Sequence, residues 1–145
     1  MSLTGVWMNE LNSVMVLREN ADNSLTGKYR SMVGRDSSVR DISGRTGASD
    51  NGQQMAAFTA CFEIVAPRPG EGHFSVCAWS GWSEKNAAGR DVLTTQWLLS
   101  VGMSDQRERW GATKVGGSSF QKVSDTPDEE LLTDDAALKK LAPQR

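Results

Sequence analysis

A chain of 145 residues with a formal charge of −2 and 38% hydrophobic residues holds enough material for one self-sufficient core. Residues 125–145 carry six acidic and three basic side chains, which leaves the rest of the chain near one net positive charge. This balance offers no basic footprint for nucleic acid and no Lys/Arg run for a membrane surface. No apolar run approaches the ~18–20 residues of a membrane span. The first strand pattern begins so close to Met1 that no signal peptide is expected in this chain; a leader removed beforehand is compatible with the same residues.

Alternation of apolar and polar residues dominates as far as residue 123, with strand-like segments at 5–10, 13–20, 24–32, 38–45, 53–64, 73–83, 91–101 and 111–123. One short pattern recurs early, in Leu3-Thr4-Gly5-Val6-Trp7, Leu25-Thr26-Gly27-Lys28-Tyr29 and Ile42-Ser43-Gly44-Arg45-Thr46. Between the segments lie turn compositions such as Asn20-Ala21-Asp22-Asn23, Gly47 to Gly52, Pro67 to Gly72 and Asn86-Ala87-Ala88-Gly89. Asn, Asp and Gly tolerate the left-handed conformation that hairpin turns require. Eight strands joined by hairpin-length loops predict an all-β chain, an antiparallel up-and-down meander. Closing it into an eight-stranded barrel removes the exposed edges and leaves room for one small ligand; a sandwich is the alternative.

After residue 123 the pattern changes. Residues 124–145 read as an acidic C-terminal extension, with a short helical tail predicted over 127–141. Thr126 stands as N-cap, Pro127 at the first helical position and Glu129 at the third, while Lys139 and Lys140 suit the C-terminal end of the dipole and Pro143 stops it. Its dock is open: the barrel, a neighbouring subunit, or neither. Residues 1–123 form the other division of the chain.

Chemistry-bearing residues are sparse. Cys61 and Cys77 do not form a CxxC motif, and His73 stands alone in a Gly/Pro-rich stretch, so neither a metal site nor a catalytic triad is expected. Trp79, Trp97 and Trp110 imply either an aromatic core or a lined pocket, each indole N–H needing a partner when buried.

Five segments decide between these. They are Leu3 to Ser13, Thr26 to Gly34, Ser75-Val76-Cys77-Ala78-Trp79-Ser80-Gly81, Thr95-Gln96-Trp97-Leu98-Leu99 and Trp110 to Gly116. In order and spacing they resemble the avidin–streptavidin family of biotin-binding proteins, with the bacterial and fungal members nearest in character, over Leu3 to about Val123. The resemblance implies biotin as ligand, no cofactor and no catalysis. It implies that Asn9, Ser13 and Tyr29 donate to the ureido carbonyl and Ser31 accepts a ureido N–H. Phe62, Trp79, Trp97 and Leu99 would box the ring, with Leu11 also at the site. Val33 and Gly34 would open the loop that closes over the ligand, and Ser75 would meet the carboxylate. It also implies secretion, with an intracellular location left open because no signal peptide is expected in this chain, and a homo-oligomer, most often a tetramer, in which Trp110 caps a neighbour's site. Outward residues such as Val92 and Leu98 would supply subunit contacts.

Three residues depart from the family pattern: Ser118 where an Asp or Asn accepts the second ureido N–H, Cys77 where a Thr lies near the biotin sulfur, and Phe62 where some members have Trp. They leave a second function open, a barrel of the same family with weakened biotin affinity or a different small ligand. If Phe62 and Trp79 face the lumen, strand alternation puts Cys61 outside and Cys77 inside, so both thiols are expected to be free.

Overall fold

A computed structural model describes residues 2–33, 37–64, 73–102 and 111–143. Eight strands follow one another: β1 (Gly5–Met8), β2 (Val14–Glu19), β3 (Ser24–Arg30), β4 (Val39–Ala48), β5 (Gln54–Ile64), β6 (His73–Lys85), β7 (Asp91–Val101) and β8 (Thr113–Ser124). Each pairs antiparallel with its sequence neighbour, and β8 returns to β1 to close the barrel. The seam is short: Val6 faces Ser124, Trp7 faces Lys122 and Met8 faces Gln121, with an irregularity between Val6 and Trp7. Closure by hairpins alone follows from the turn residues. Asn23 adopts φ 66° between β2 and β3, and Gly52 and Gly89 adopt φ 83° and 77° in the β4–β5 and β6–β7 turns. These are conformations that side chains other than Asn and Asp strongly disfavour. Strand β4 runs further than its predicted end at residue 45, because Gly47 and Ala48 still pair with Met55 and Gln54.

The barrel's two ends differ. The end holding the β2–β3, β4–β5 and β6–β7 turns is filled by Leu3, Trp7, Leu17, Leu25, Leu93 and Phe120, all 0% exposed. The Trp7 indole N–H donates to Leu3 O at 2.8 Å, which satisfies the polar atom that so large a ring brings inside. Lys122 Nζ lies 5.3 Å from the centre of the same ring, with Asp125 at 3.3 Å as its counter-ion. At the other end the described residues surround a cavity.

The tail contains two helical pieces in place of the single helix predicted over 127–141: a 3₁₀ segment, Glu129–Thr133, and α1, Asp135–Leu141. Two aspartates cause the break. Asp128 accepts from Glu130 N at 3.0 Å and Asp134 from Ala137 N at 3.0 Å, so each starts its own piece. Thr126, expected as the cap, instead donates its backbone N–H to Ser124 Oγ. The tail docks on the outside of the barrel. Leu132 and Leu138, with Val123, Leu131 and Ala142 beside them, cover the outward face formed by Val6, Met8, Val14 and Val16. Burying one Leu contributes about 1.5–3 kcal/mol, which offsets part of the entropy of ordering the tail. Arg18 adds a hydrogen bond to Pro127 O at 3.0 Å. No helix among the described residues is long and apolar enough to cross a membrane.

Candidate ligand-binding site

The cavity end is shaped first by the turn between β1 and β2. Asn12 takes φ 63°, a value Asn tolerates, and its N–H donates to Asn9 O at 3.0 Å while Asn9 N donates to Ser13 O at 3.0 Å. The Asn9 side-chain oxygen accepts from Leu11 N at 3.0 Å and from Ser13 N at 2.9 Å. With that oxygen occupied by the backbone, the amide NH2 is the group left to face inward. Asn9 is 4% and Ser13 0% exposed. Ser13 Oγ accepts from Met32 N at 2.9 Å, which leaves its proton to the cavity side, where it meets the Tyr29 phenol.

Strand β3 supplies Tyr29 and, just past its end, Ser31. Burial pushes the Tyr29 phenol above its ordinary value; hydrogen bonding with Ser13 and, more weakly, Ser31 pulls it back, and Cys77 and Glu10 add to the rise. The phenol is therefore a neutral donor at physiological pH. Ser31 is set the other way: its hydroxyl donates to Val33 O at 2.6 Å and accepts from Val33 N at 3.2 Å. Its proton is committed, so what remains for a ligand is a lone pair.

The far wall comes from β5 to β8, whose ladder stacks residues in rows. Phe58, Trp79, Trp97 and Gly116 lie opposite one another in turn, as do Ala60, Cys77, Leu99 and Lys114. Phe58 and Trp79 stack with centroids 5.2 Å apart at 19°, and Tyr29 leans on Trp79 at 5.2 Å and on Phe62 at 5.8 Å. Thr95 Oγ1 donates to Ser118 O at 2.8 Å, and Ser119 N donates to Glu10 Oε2 at 3.0 Å; together they fix the β8 backbone at Ser118.

These walls enclose a cavity of about 290 Å³ lined by Asn9, Leu11, Ser13, Tyr29, Ser31, Val33, Phe62, Ser75, Cys77, Trp79, Trp97, Leu99 and Ser118. Among the described residues no Asp, Glu, Lys, Arg or His lines it, so its polarity is that of neutral donors and acceptors. Gly34 and Trp110, also expected at the site, lie outside the described residues. No group of three or more His, Cys, Asp and Glu among the described residues is placed to hold a metal ion.

Gly116 was not singled out from the sequence, yet it seats Trp97. A Cβ there would fall 2.3, 2.7 and 2.9 Å from Cζ2, Cε2 and Cη2 of the indole, distances that force a rigid ring to move. Gly116→Ala is expected to push the indole into the cavity and to cost about 1–3 kcal/mol of stability. A denaturant titration checks this; an unchanged midpoint would show that the ring has room to give.

Cys61 is exposed, Cys77 is buried, and both are free. Burial pushes the Cys77 thiol up to about 12, so it stays protonated and unreactive at neutral pH. Iodoacetamide at pH 8 should modify Cys61 and spare Cys77, as read by peptide mass spectrometry; equal labelling of both in native protein would contradict this. The linkage has a definite sign. A thiol near 9.0 when unfolded and near 12 when folded leaves stability intact below pH 9, and its contribution is lost as the pH rises toward 12.

The model of the avidin family matches residues 1–123. The chain belongs to the avidin family. Two curated relatives from Gallus gallus are similar to it over most of its length. Avidin-related protein 4/5 is 29% identical over 125 residues, 84% of this chain and 78% of the relative. Avidin is 28% identical over 127 residues, with the same two coverages. The barrel also superposes on avidin-like solved structures. That of Xenavidin gives a TM-score of 0.69 at 23% identity, covering 83% of this chain and 97% of the other. The biotin binding protein from chicken gives 0.70 at 24% identity, covering 84% and 96%. The avidin-family match ends at residue 123, and the docked tail lies beyond it.

Proposed function

We propose that this barrel binds biotin as a non-catalytic receptor, with the ureido group at Asn9, Ser13, Tyr29 and Ser31 and the ring and chain against Phe62, Trp79, Trp97 and Leu99. The observation that carries the reading is the polarity of the hydrogen bonds. Backbone partners leave Asn9 and Ser13 as donors and Ser31 as an acceptor, and burial keeps the Tyr29 phenol protonated beside them. This matches one carbonyl flanked by N–H groups. The absence of charged side chains from the described lining suits a neutral head group, and the aromatic wall suits an apolar body. Family membership supports the same ligand. Ser118 and Cys77 contribute neutral, weaker polar contacts than a carboxylate or a hydroxyl would, so the second ureido N–H is held less strongly.

The reading extends to assembly. The outer face of β5 to β8 exposes Met55, Trp82, Leu98 and Val115, at 45%, 40%, 53% and 71%, a density of large apolar groups that suits contact with further copies. Val92, expected among these contacts, is only 7% exposed, flanked on its strand neighbours by Glu84 and Gln121. A homotetramer fits that face and the expected role of Trp110.

Titration calorimetry with biotin tests the function. One binding event per chain is expected, with lipoate, which keeps a sulfur ring and the acid chain but has no ureido, bound roughly a hundredfold more weakly or worse. Equal affinity for the two ligands, or no heat with either, would overturn the reading.

A further inference from the structure

The tail beyond the family match touches the barrel where the ligand cavity's polar groups are carried. Arg30 is the last residue of β3, directly before Ser31. Its Nη1 donates to Leu132 O at 2.9 Å and to Asp135 Oδ1 at 2.7 Å, with the Arg30 side chain only 20% exposed. Met32 ties this strand end to the β1–β2 turn through its hydrogen bond to Ser13 Oγ. Arg30 and Met32, with Leu11 and Asn12 of the turn, face Leu138, Lys139 and Ala142 across a groove of about 360 Å³. Leu11 lines both this groove and the ligand cavity.

Residues 9–13 and 31–33 belong to no strand, since β1 ends at Met8, β2 begins at Val14, β3 ends at Arg30 and β4 begins at Val39. No sheet ladder fixes them. The turn is held by its own backbone bonds and the Asn9 side chain, and residues 31–33 by the Ser13 and Ser31 hydroxyls; among the described residues the tail adjoins both from outside the barrel.

We propose that Arg30 and Asp135 are positioning residues of the ligand site, through which the docked tail holds the β3 end and the β1–β2 turn so that Ser31, Ser13 and Asn9 meet the ligand in register. This rests on the reading of the cavity as the biotin site. A bond between a mostly buried guanidinium and an exposed carboxylate is modest in strength, but it acts on a strand end that no sheet ladder continues. Small losses there appear in the rate of ligand release.

The test compares Asp135→Asn with Asp135→Glu in the full chain, and with Asp128→Ala, which removes a cap in the tail without touching Arg30. Biotin release is followed by displacement, and amide hydrogen exchange at Met32 is measured in ligand-free protein. Asp135→Asn should speed release about three- to fivefold and raise exchange at Met32. Asp135→Glu should restore most of both, and Asp128→Ala should leave both near wild type. The proposal is overturned if Asp135→Asn lowers the melting midpoint yet leaves release and Met32 exchange unchanged. Should the unaltered protein bind no biotin, the functional reading fails by itself, and Met32 exchange alone decides this proposal.

Discussion

Asn9→Asp is expected to give a folded barrel that has lost its hold on biotin. The substituted oxygen can still accept from Leu11 N and Ser13 N, the two bonds that shape the β1–β2 turn, so the turn survives. What changes is the second branch of the side chain. The NH2 left for the cavity becomes a carboxylate oxygen, and the donor proposed for the ureido carbonyl becomes a repelling acceptor. Leaving that carbonyl unpaired beside a charge costs about 3 kcal/mol or more, roughly a hundredfold or more in affinity. Acid should reverse part of the loss, because a protonated carboxyl offers an O–H donor. Calorimetry at pH 7 and pH 4.5 beside a thermal melt checks both halves. Affinity near wild type at pH 7 would remove Asn9 from the ligand's polar contacts.

Trp79→Ala is expected to damage fold and binding together. The indole is 4% exposed, stacked on Phe58 and leaning against Tyr29, and it lines the cavity. Emptying such a position costs about 3–5 kcal/mol, a fall of roughly 10–20 °C in the melting midpoint for a chain of this size. The wall that faces the ligand's apolar body disappears with it. Trp79→Phe should recover much of the stability and only part of the binding, since a smaller ring refills the stack but not the cavity face. An alanine variant that melts with the wild type would mean the stack carries little of the barrel's cohesion.

Local chemistry made most of the barrel legible. Alternation and the residues that accept positive φ, such as Asn23, Gly52 and Gly89, are properties of short segments, and they placed eight strands and their order. The site was readable only as a motif: nothing in the spacing of Asn9, Tyr29 and Trp97 says that closure brings them to one cavity. What local reading missed depends on distant contacts. Val14-Met15-Val16-Leu17 is apolar on both faces, and both are buried, because the lumen takes Met15 and Leu17 while Leu132 and Leu138 of the tail cover the other side. Gly116 matters through Trp97, a neighbour in space only. The split of the tail at Asp134 was present in the residues, but the stronger-looking cap at Thr126 masked it.

The placing of the two ends of the chain has a practical outcome for anyone attaching cargo to this receptor. Ser2 lies at the filled end, where its carbonyl accepts from Lys122 Nζ, whereas Ala142 lies in the groove beside Leu11 and Met32, and Leu11 also lines the cavity. A fusion partner joined ahead of Ser2 therefore starts from the end opposite the cavity. One joined at the other terminus starts from the cavity side of the barrel, where bulk is expected to slow the binding of a ligand presented on a surface or a large carrier.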